Sequence, residues 1–300
     1  MRKIKLVYWH TNIDNYGDLL SPYIIQRLSG CQIIHKNYFV GNWKSHIYHW
    51  IREVFRFNLS LDCDYLFPLE SNIVGIGSII FSGNKRSYIW GSGFMSPNEQ
   101  CKYGIIHAVR GNLSLKKIHE QIAEGSSVKL VDKVAIGDPG LLLPWFISPC
   151  DKKYRIGIVP HFSEMEFFKV KYGDKYHVID LRSADIESVT NEITSCEYIL
   201  STSLHGIIVA HAYGVPALWC EHTGLEEDTN GFKFYDYFSS VGIESYLPIR
   251  EFDEVLKDEA TILAQFNLRR ASSLPSIDLE ELRAKLLEVA PFPIIKNKFK

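Results

Sequence analysis

An alternation that runs the length of the chain narrows the possible folds more than any other feature. Short apolar runs rich in Val, Ile and Leu end in polar or glycine turns, and most lead into a stretch of helical spacing. Residues 3–9, KIKLVYW, form such a run; the loop after it holds Asn12, Asn15, Gly17 and Asp18, and residues 19–28 repeat at helical spacing. Further strand-like runs fall at 73–80, 88–90 and 104–108, the last passing through VRGN into another helical stretch. A segment rich in Pro and Gly, GDPGLLLPWFISPCDKKY, interrupts the pattern near residue 150. The pattern then restarts, with strands at 155–160, 176–181, 197–200 and 216–220 and helices at 185–194 and 205–213. Strands alternating with helices favour parallel sheets, since a parallel neighbour is reached only by a long crossover. The expected fold is α/β: two Rossmann-like domains facing a cleft, residues 1–150 and 151–300. Residues 276–289 read as an amphipathic terminal helix, and the end, PFPIIKNKFK, as loose.

Parallel sheets bind ligands beyond the carboxyl ends of their strands, so the loops there hold the candidate residues. The most pointed is STSLHG, at 201–206. Ser201, Thr202 and Ser203 offer hydroxyls at a helix start, where free backbone N–H groups and the helix dipole suit a phosphate or carboxylate. The same hydroxyls equally read as simple caps. His205, in the first helical turn beside Gly206, is placed for proton transfer near neutral pH, or for a hydrogen bond to a neighbouring loop. Arg110 ends a strand before Gly111; it can grip a carboxylate or phosphate with two parallel bonds, or form an interdomain salt bridge. Asn15, Gly17 and Asp18 can orient a sugar hydroxyl or take its proton, and Asp18 can instead serve as a helix cap. His161, and Glu221 with His222, follow strands of the second half and point to the same crevice.

Composition excludes several classes. A net charge of -2 argues against a general nucleic-acid binder, which needs a basic surplus for the phosphate backbone. The six cysteines contain no C-x-x-C pair, which fits neither a zinc ribbon nor a disulfide framework and suits a reducing compartment. The apolar run at 4–9 is too short for a signal peptide, and no run approaches the roughly 18 residues of a membrane span, so a cytoplasmic protein is expected. No histidine pair sits in an H-E-x-x-H motif, so no metal site is expected, nor any cofactor. Gly75, Gly77, Gly91 and Gly93 do not make the dinucleotide-binding G-x-G-x-x-G, and the serine elbow of hydrolases is absent.

NYGDLLSPYI, AVRGNLS, IGDPGLLLP, IGIVPHFSE and ILSTSLHGIIVAHAYGVPALW, with FKFYDYFSSVG at 232–242, together resemble the polysaccharide pyruvyl transferase family. The resemblance covers most of the chain and rests on several weak motifs in the right order. It implies a fold similar to the GT-B glycosyltransferases, phosphoenolpyruvate as donor, and a cyclic pyruvate ketal formed on two sugar hydroxyls with release of phosphate. It further implies that Arg110 and His205 contact the donor on the second-domain side. The acceptor, a sugar of a polysaccharide or of its precursor, falls on the loop of Asn15, Gly17 and Asp18. A branch of the family carries arginine immediately before the Leu-His pair, where this chain has Ser203; Arg155 or Lys233 is the candidate replacement. His205 is expected as acid and Asp18 as base, with the exchanged roles left open.

Two other readings stand beside this one. A glycosyltransferase using a nucleotide sugar would suit the same cleft, and a non-catalytic sugar-binding relative would suit the same fold. The segment 41–60, GNWKSHIYHWIREVFRFNLS, adds one more expectation. It places Ile47, Trp50, Ile51, Val54 and Phe55 on one helical face beside Lys44, Arg52 and Arg56, a pattern suited to an anionic membrane surface or to packing on the first sheet.

Overall fold

The computed structural model describes residues 2–10, 13–36, 47–48, 51, 55, 70–222 and 229–295. In chain order its elements are β1 (Lys3–Val7), α1 (Tyr16–Ser29), β2 (Gln32–His35), β3 (Asn72–Val74), β4 (Ser87–Ser92), β5 (Ile105–Val109), α2 (Asn112–Ala123) and β6 (Lys129–Ile136). A 3-10 turn, Pro139–Trp145, leads on to β7 (Tyr154–Val159), α3 (Met165–Tyr172), β8 (His177–Val178), α4 (Ile186–Thr194), β9 (Cys196–Ser201), α5 (Leu204–Ala212) and β10 (Ala217–Trp219). The described chain closes with α6 (Phe232–Ser240), α7 (Phe252–Val255), α8 (Glu259–Leu268) and α9 (Leu279–Glu288). The strands form a six-stranded sheet in the order β2-β1-β3-β4-β5-β6 and a four-stranded sheet in the order β10-β9-β7-β8. Every strand pairing is parallel. The fold is therefore the Rossmann-like α/β architecture that the alternation predicts.

The run at 73–80 is a strand only as far as Val74. Gly75 lets the backbone pass Ser21, whose Oγ would lie 1.9 Å from an added Cβ, and Gly77 has φ +113, so the chain turns out of the sheet there. An apolar run marks burial but does not say where a backbone must turn. Strands β2 and β6 and helices α3, α6, α7 and α8 lie outside the runs read from sequence.

The sheets meet through their helices. One apolar cluster includes Leu20, Ile24 and Leu28 of α1, Leu141–Leu143 of the 3-10 turn, Val189 and Ile193 of α4, and Ile207 and Ile208 of α5. The Tyr16 N–H donates to Leu181 O at 2.8 Å, and its buried hydroxyl lies 2.7 Å from Thr190 Oγ1. This fixes the start of α1 against the second sheet's side of the molecule, which decides where the residues before and after Tyr16 point.

Helix α9 crosses back to the first sheet. Trp90 Nε1–H on β4 donates to Leu286 O at 2.9 Å, and the buried Arg283 donates to Leu141 O and Ala212 O, tying the 3-10 turn to the end of α5. The end of the chain is not loose as far as it is described. Phe292 meets Trp90 edge-on at 5.0 Å, and the Ile295 N–H donates to Leu28 O. Amphipathicity shows which face of a terminal helix is apolar, not which sheet it covers. Of the 41–60 segment only Ile47, Tyr48, Ile51 and Phe55 are described, and all are exposed; its basic positions lie outside the described residues.

Candidate active site

The site is assembled from strand ends of both sheets. Asn15 caps α1: its Oδ1 accepts from the Gly17 N–H at 3.2 Å, and its Nδ2 donates to Asp18 Oδ2 at 2.8 Å. That places Gly17 directly against the His205 ring of α5, where an added Cβ would sit 1.9 Å from Nδ1. The first turns of two helices, some 190 positions apart, are thereby in contact. Gly17→Ala is expected to push the imidazole out of place and cut turnover by roughly 10²-fold, with unfolding measured alongside to show that the fold survives.

Two titratable groups beside this contact are displaced in opposite directions. Burial drives the Asp18 carboxyl up to about 7, against opposing pulls from the Asn15 hydrogen bond and the Lys233 charge. Burial drives His205 down to about 3, and the charges of Arg110, Lys233 and His161 push it the same way. His205 nevertheless keeps part of its surface exposed. Near neutral pH the pair is thus a carboxyl that still holds its proton in part and an imidazole free to accept one.

The turn before His205 is internally bonded. Ser201 Oγ donates to Val159 O at 2.8 Å and accepts from the Ser203 N–H, while Thr202 Oγ1 accepts from the His161 N–H and donates to the buried Glu164. These two hydroxyls hold β9 to β7. Gly206 lets α5 pass close to β7; a Cβ there would meet Ser201 Oγ at 2.5 Å and Val159 Cγ1 at 2.7 Å. Ser203 is the N-cap residue of α5 and its side chain makes no capping bond. Ser203 and the first helical turn are therefore the part of STSLHG that is left for a ligand.

Arg110 is almost wholly buried, 1% exposed, and forms an ion pair with Asp236, far along the chain. Its Nε and Nη2 both lie 3.0 Å from Asp236 Oδ2 on α6, Nη1 donates to Ser78 Oγ at 2.6 Å, and Nη2 donates to Phe94 O at 2.6 Å. Asp236 also accepts from the Ser114 N–H and hydroxyl. Gly111 permits this seam, since a Cβ on it would lie 1.8 Å from the Asp236 carbonyl oxygen. Arg110 reaches His205 through its field. Asp236 is absent from the sequence-based candidates, although one acidic residue amid the aromatics of FKFYDYF is the kind of signal that marks a buried charge needing a partner. Asp138 is a second omission: fully buried, pushed up to about 6 by burial, it accepts from the Gly140 N–H through Oδ1.

The remaining candidates divide. Lys233 stands on α6 where its charge acts on both Asp18 and His205. Arg155 is ruled out as the replacement charge, because it lies at the amino end of β7, away from the crevice, and pairs with Glu259 at 2.6 Å. His161 Nδ1 lies 2.8 Å from Ser163 Oγ, beside the crevice. His222 is stacked on Phe167 at 4.0 Å and edge-on to Phe168 and Phe252, so its ring is part of an aromatic cluster. Glu221 is buried and paired with Arg250. Among the described residues no group of three His, Cys, Asp or Glu side chains is placed to hold a metal ion. No helix among them is long and apolar enough to cross a membrane.

Fold and site define a class: an α/β protein of two parallel sheets, with a buried carboxyl and a largely buried imidazole at the starts of two helices, both within the field of Lys233. Residues 15–224 match the family described as polysaccharide pyruvyl transferase, a stretch holding every residue named above as a candidate except Lys233. The chain belongs to that family and is a transferase, with a role in pyruvyl transfer for polysaccharide synthesis. It is also similar to a protein of Acanthamoeba polyphaga mimivirus described as uncharacterized protein L143, with 32% identity over 213 residues that cover 68% of this chain and 70% of the other.

Proposed function

We propose that the chain moves the pyruvate unit of phosphoenolpyruvate onto two hydroxyls of a sugar, as a cyclic ketal, with release of phosphate, in a GT-B-like cleft between residues 1–150 and 151–300. The observation that carries this reading is the Asp18–His205 pair, one group from each half, with opposite displacements of proton affinity. Such a split is how one site runs acid and base chemistry at one pH. It favours the exchanged roles: Asp18 as acid and His205 as base.

The donor's carboxylate and phosphate are drawn to Lys233, to the amino end of α5 at Ser203, and to the field of the buried Arg110. Their negative charge raises both proton affinities, which keeps Asp18 protonated and makes His205 a stronger base. Asp18 then delivers its proton to the methylene carbon C3, making C2 electrophilic, while His205 takes the proton of the first attacking hydroxyl. Phosphate leaves from C2 with its bonding electron pair. The second hydroxyl adds at C2 and gives its proton to the Asp18 carboxylate, while His205 passes its proton to the departing phosphate, so the two hydroxyl protons replace the one placed on C3 and the one carried off by phosphate. No metal or cofactor enters these steps.

Phosphoenolpyruvate at a hundredfold excess over its dissociation constant is expected to stabilise the protein by about 2.7 kcal/mol, a rise in Tm of several degrees, while nucleotide sugars leave it unchanged. The reverse outcome would point to glycosyl transfer, and phosphate release in the presence of a glycoside panel decides the reaction. The segment 41–60 enters the same proposal as a peripheral contact with anionic membrane, carrying a lipid-linked acceptor to the site. Cosedimentation with anionic liposomes tests it, and a protein that stays in the supernatant at low salt removes that contact.

A further inference from the structure

Glu221 stands two residues beyond Trp219 at the carboxyl end of β10. Leu218 and Cys220 pack in one apolar cluster, while Ala217 and Trp219 pack in another, so side chains alternate along this strand. Trp219 and Glu221 therefore share a face, the one that α6 covers. Glu221 is nearly buried at 6% exposure, and a single oxygen, Oε2, accepts both the Nε and Nη2 bonds of Arg250, at 2.9 and 2.8 Å. The other oxygen, Oε1, is buried and has no hydrogen-bond partner among the described residues; the Trp219 Nε1–H is in the same condition. One acceptor and one donor are thus left unmade on one strand face. An unmade bond at a buried polar group costs about 1–3 kcal/mol, so the arrangement is kept against a standing penalty.

Position ties this face to the site. Trp219 is in register with Ser201, and the Cys220 N–H donates to Ser201 O, so Glu221 stands about one strand spacing from the turn that carries His205. Helix α6 spans both places: the Lys233 charge acts on Asp18 and His205, and the half-buried Tyr235 hydroxyl feels the charges of Glu221 and Arg250. Charge then separates the two substrates. A carboxylate with a bare oxygen repels the phosphate and carboxylate of the donor, and it needs an O–H or N–H to meet it. A hydroxyl is the group that can both donate to Glu221 and accept from an indole N–H.

We infer that Glu221 Oε1, held in place by Arg250 and accompanied by the Trp219 indole, receives a hydroxyl of the acceptor sugar, so that the acceptor reaches across to the second sheet as well as the Asn15–Asp18 loop. The inference rests on the pyruvyl-transfer reading for the identity of this ligand as the acceptor.

The test uses the whole chain with phosphoenolpyruvate and methyl glycosides of galactose, glucose, mannose and N-acetylglucosamine. Glu221→Ala is expected to raise the acceptor KM roughly 10–100-fold, the loss of one hydrogen bond to a charged group, and to leave the phosphoenolpyruvate KM within about twofold. A folded Glu221→Ala protein with an unchanged acceptor KM, or with both KM values raised alike, overturns the inference. If that variant does not fold, Glu221→Gln is read in the same way. Should the wild-type protein release no phosphate with any glycoside, the pyruvyl-transfer reading falls. The sugar site is then decided by saturation-transfer NMR with the same glycosides: a signal lost in Glu221→Gln supports it, and no signal from the wild type overturns it.

Discussion

His205→Ala is expected to lower turnover by roughly 10²–10⁴-fold while the protein keeps its fold, the usual weight of one positioned proton-transfer group. His205→Gln should not restore it, because an amide can make a hydrogen bond but cannot take a proton. A glutamine variant with near-normal turnover would reduce His205 to a donor contact and move the search for the base to His161. Asp18 gives the matching pH signature. With its carboxyl at about 7, the free enzyme loses the required proton as pH rises, so kcat/KM should fall on the alkaline side of neutrality, and Asp18→Asn should be inactive. The same displacement has a consequence for stability. The folded group holds a proton that the unfolded chain releases from its ordinary 3.8, so its stabilising contribution is full below about 4 and is lost as pH rises through about 7. Asp18→Asn should therefore be more stable than the wild type above pH 7, by a few kcal/mol at most, and no more stable near pH 4. Thermal unfolding at the two pH values reads the difference.

Arg110→Met is expected to destabilise the protein by about 3–5 kcal/mol, a fall in Tm of roughly 10 °C, because it leaves the fully buried Asp236 without its counter-charge. Adding Asp236→Asn should recover much of the loss, since the Ser114 N–H can still donate to the amide oxygen and the Ser114 hydroxyl can turn to accept from the amide NH2. Were Arg110 instead mainly a hand for the donor, the single variant would unfold like the wild type and lose only phosphoenolpyruvate affinity. Denaturant unfolding and the thermal shift with phosphoenolpyruvate separate the two. Breaking the pair also removes one of the charges that hold His205 down, so the base should strengthen as the fold weakens.

Sequence by itself determined the α/β class, the parallel sheets, the family and the loops that carry polar residues. Each depends on local or periodic patterning: apolar runs of strand length, glycine at turns, and short motifs in order. The crevice was legible to the same extent, since Asn15, Asp18, His161 and His205 all stand where strands end. Only the tertiary structure decided what each side chain does there. Ser201 and Thr202 hold strands together, because the groups that take their bonds, Val159 O and Glu164, come from another strand and the loop after it. His222 looks free in a loop, yet aromatic rings from α3 and α7 enclose it. Arg110 reads as an anion hand until Asp236, 126 positions away, is brought against it. The order of proton affinities in Asp18 and His205 was likewise beyond the sequence, because burial and the charges of distant residues set it. A motif fixes which groups are available; desolvation and partners from elsewhere in the chain fix which of them stay charged, and therefore what they can do.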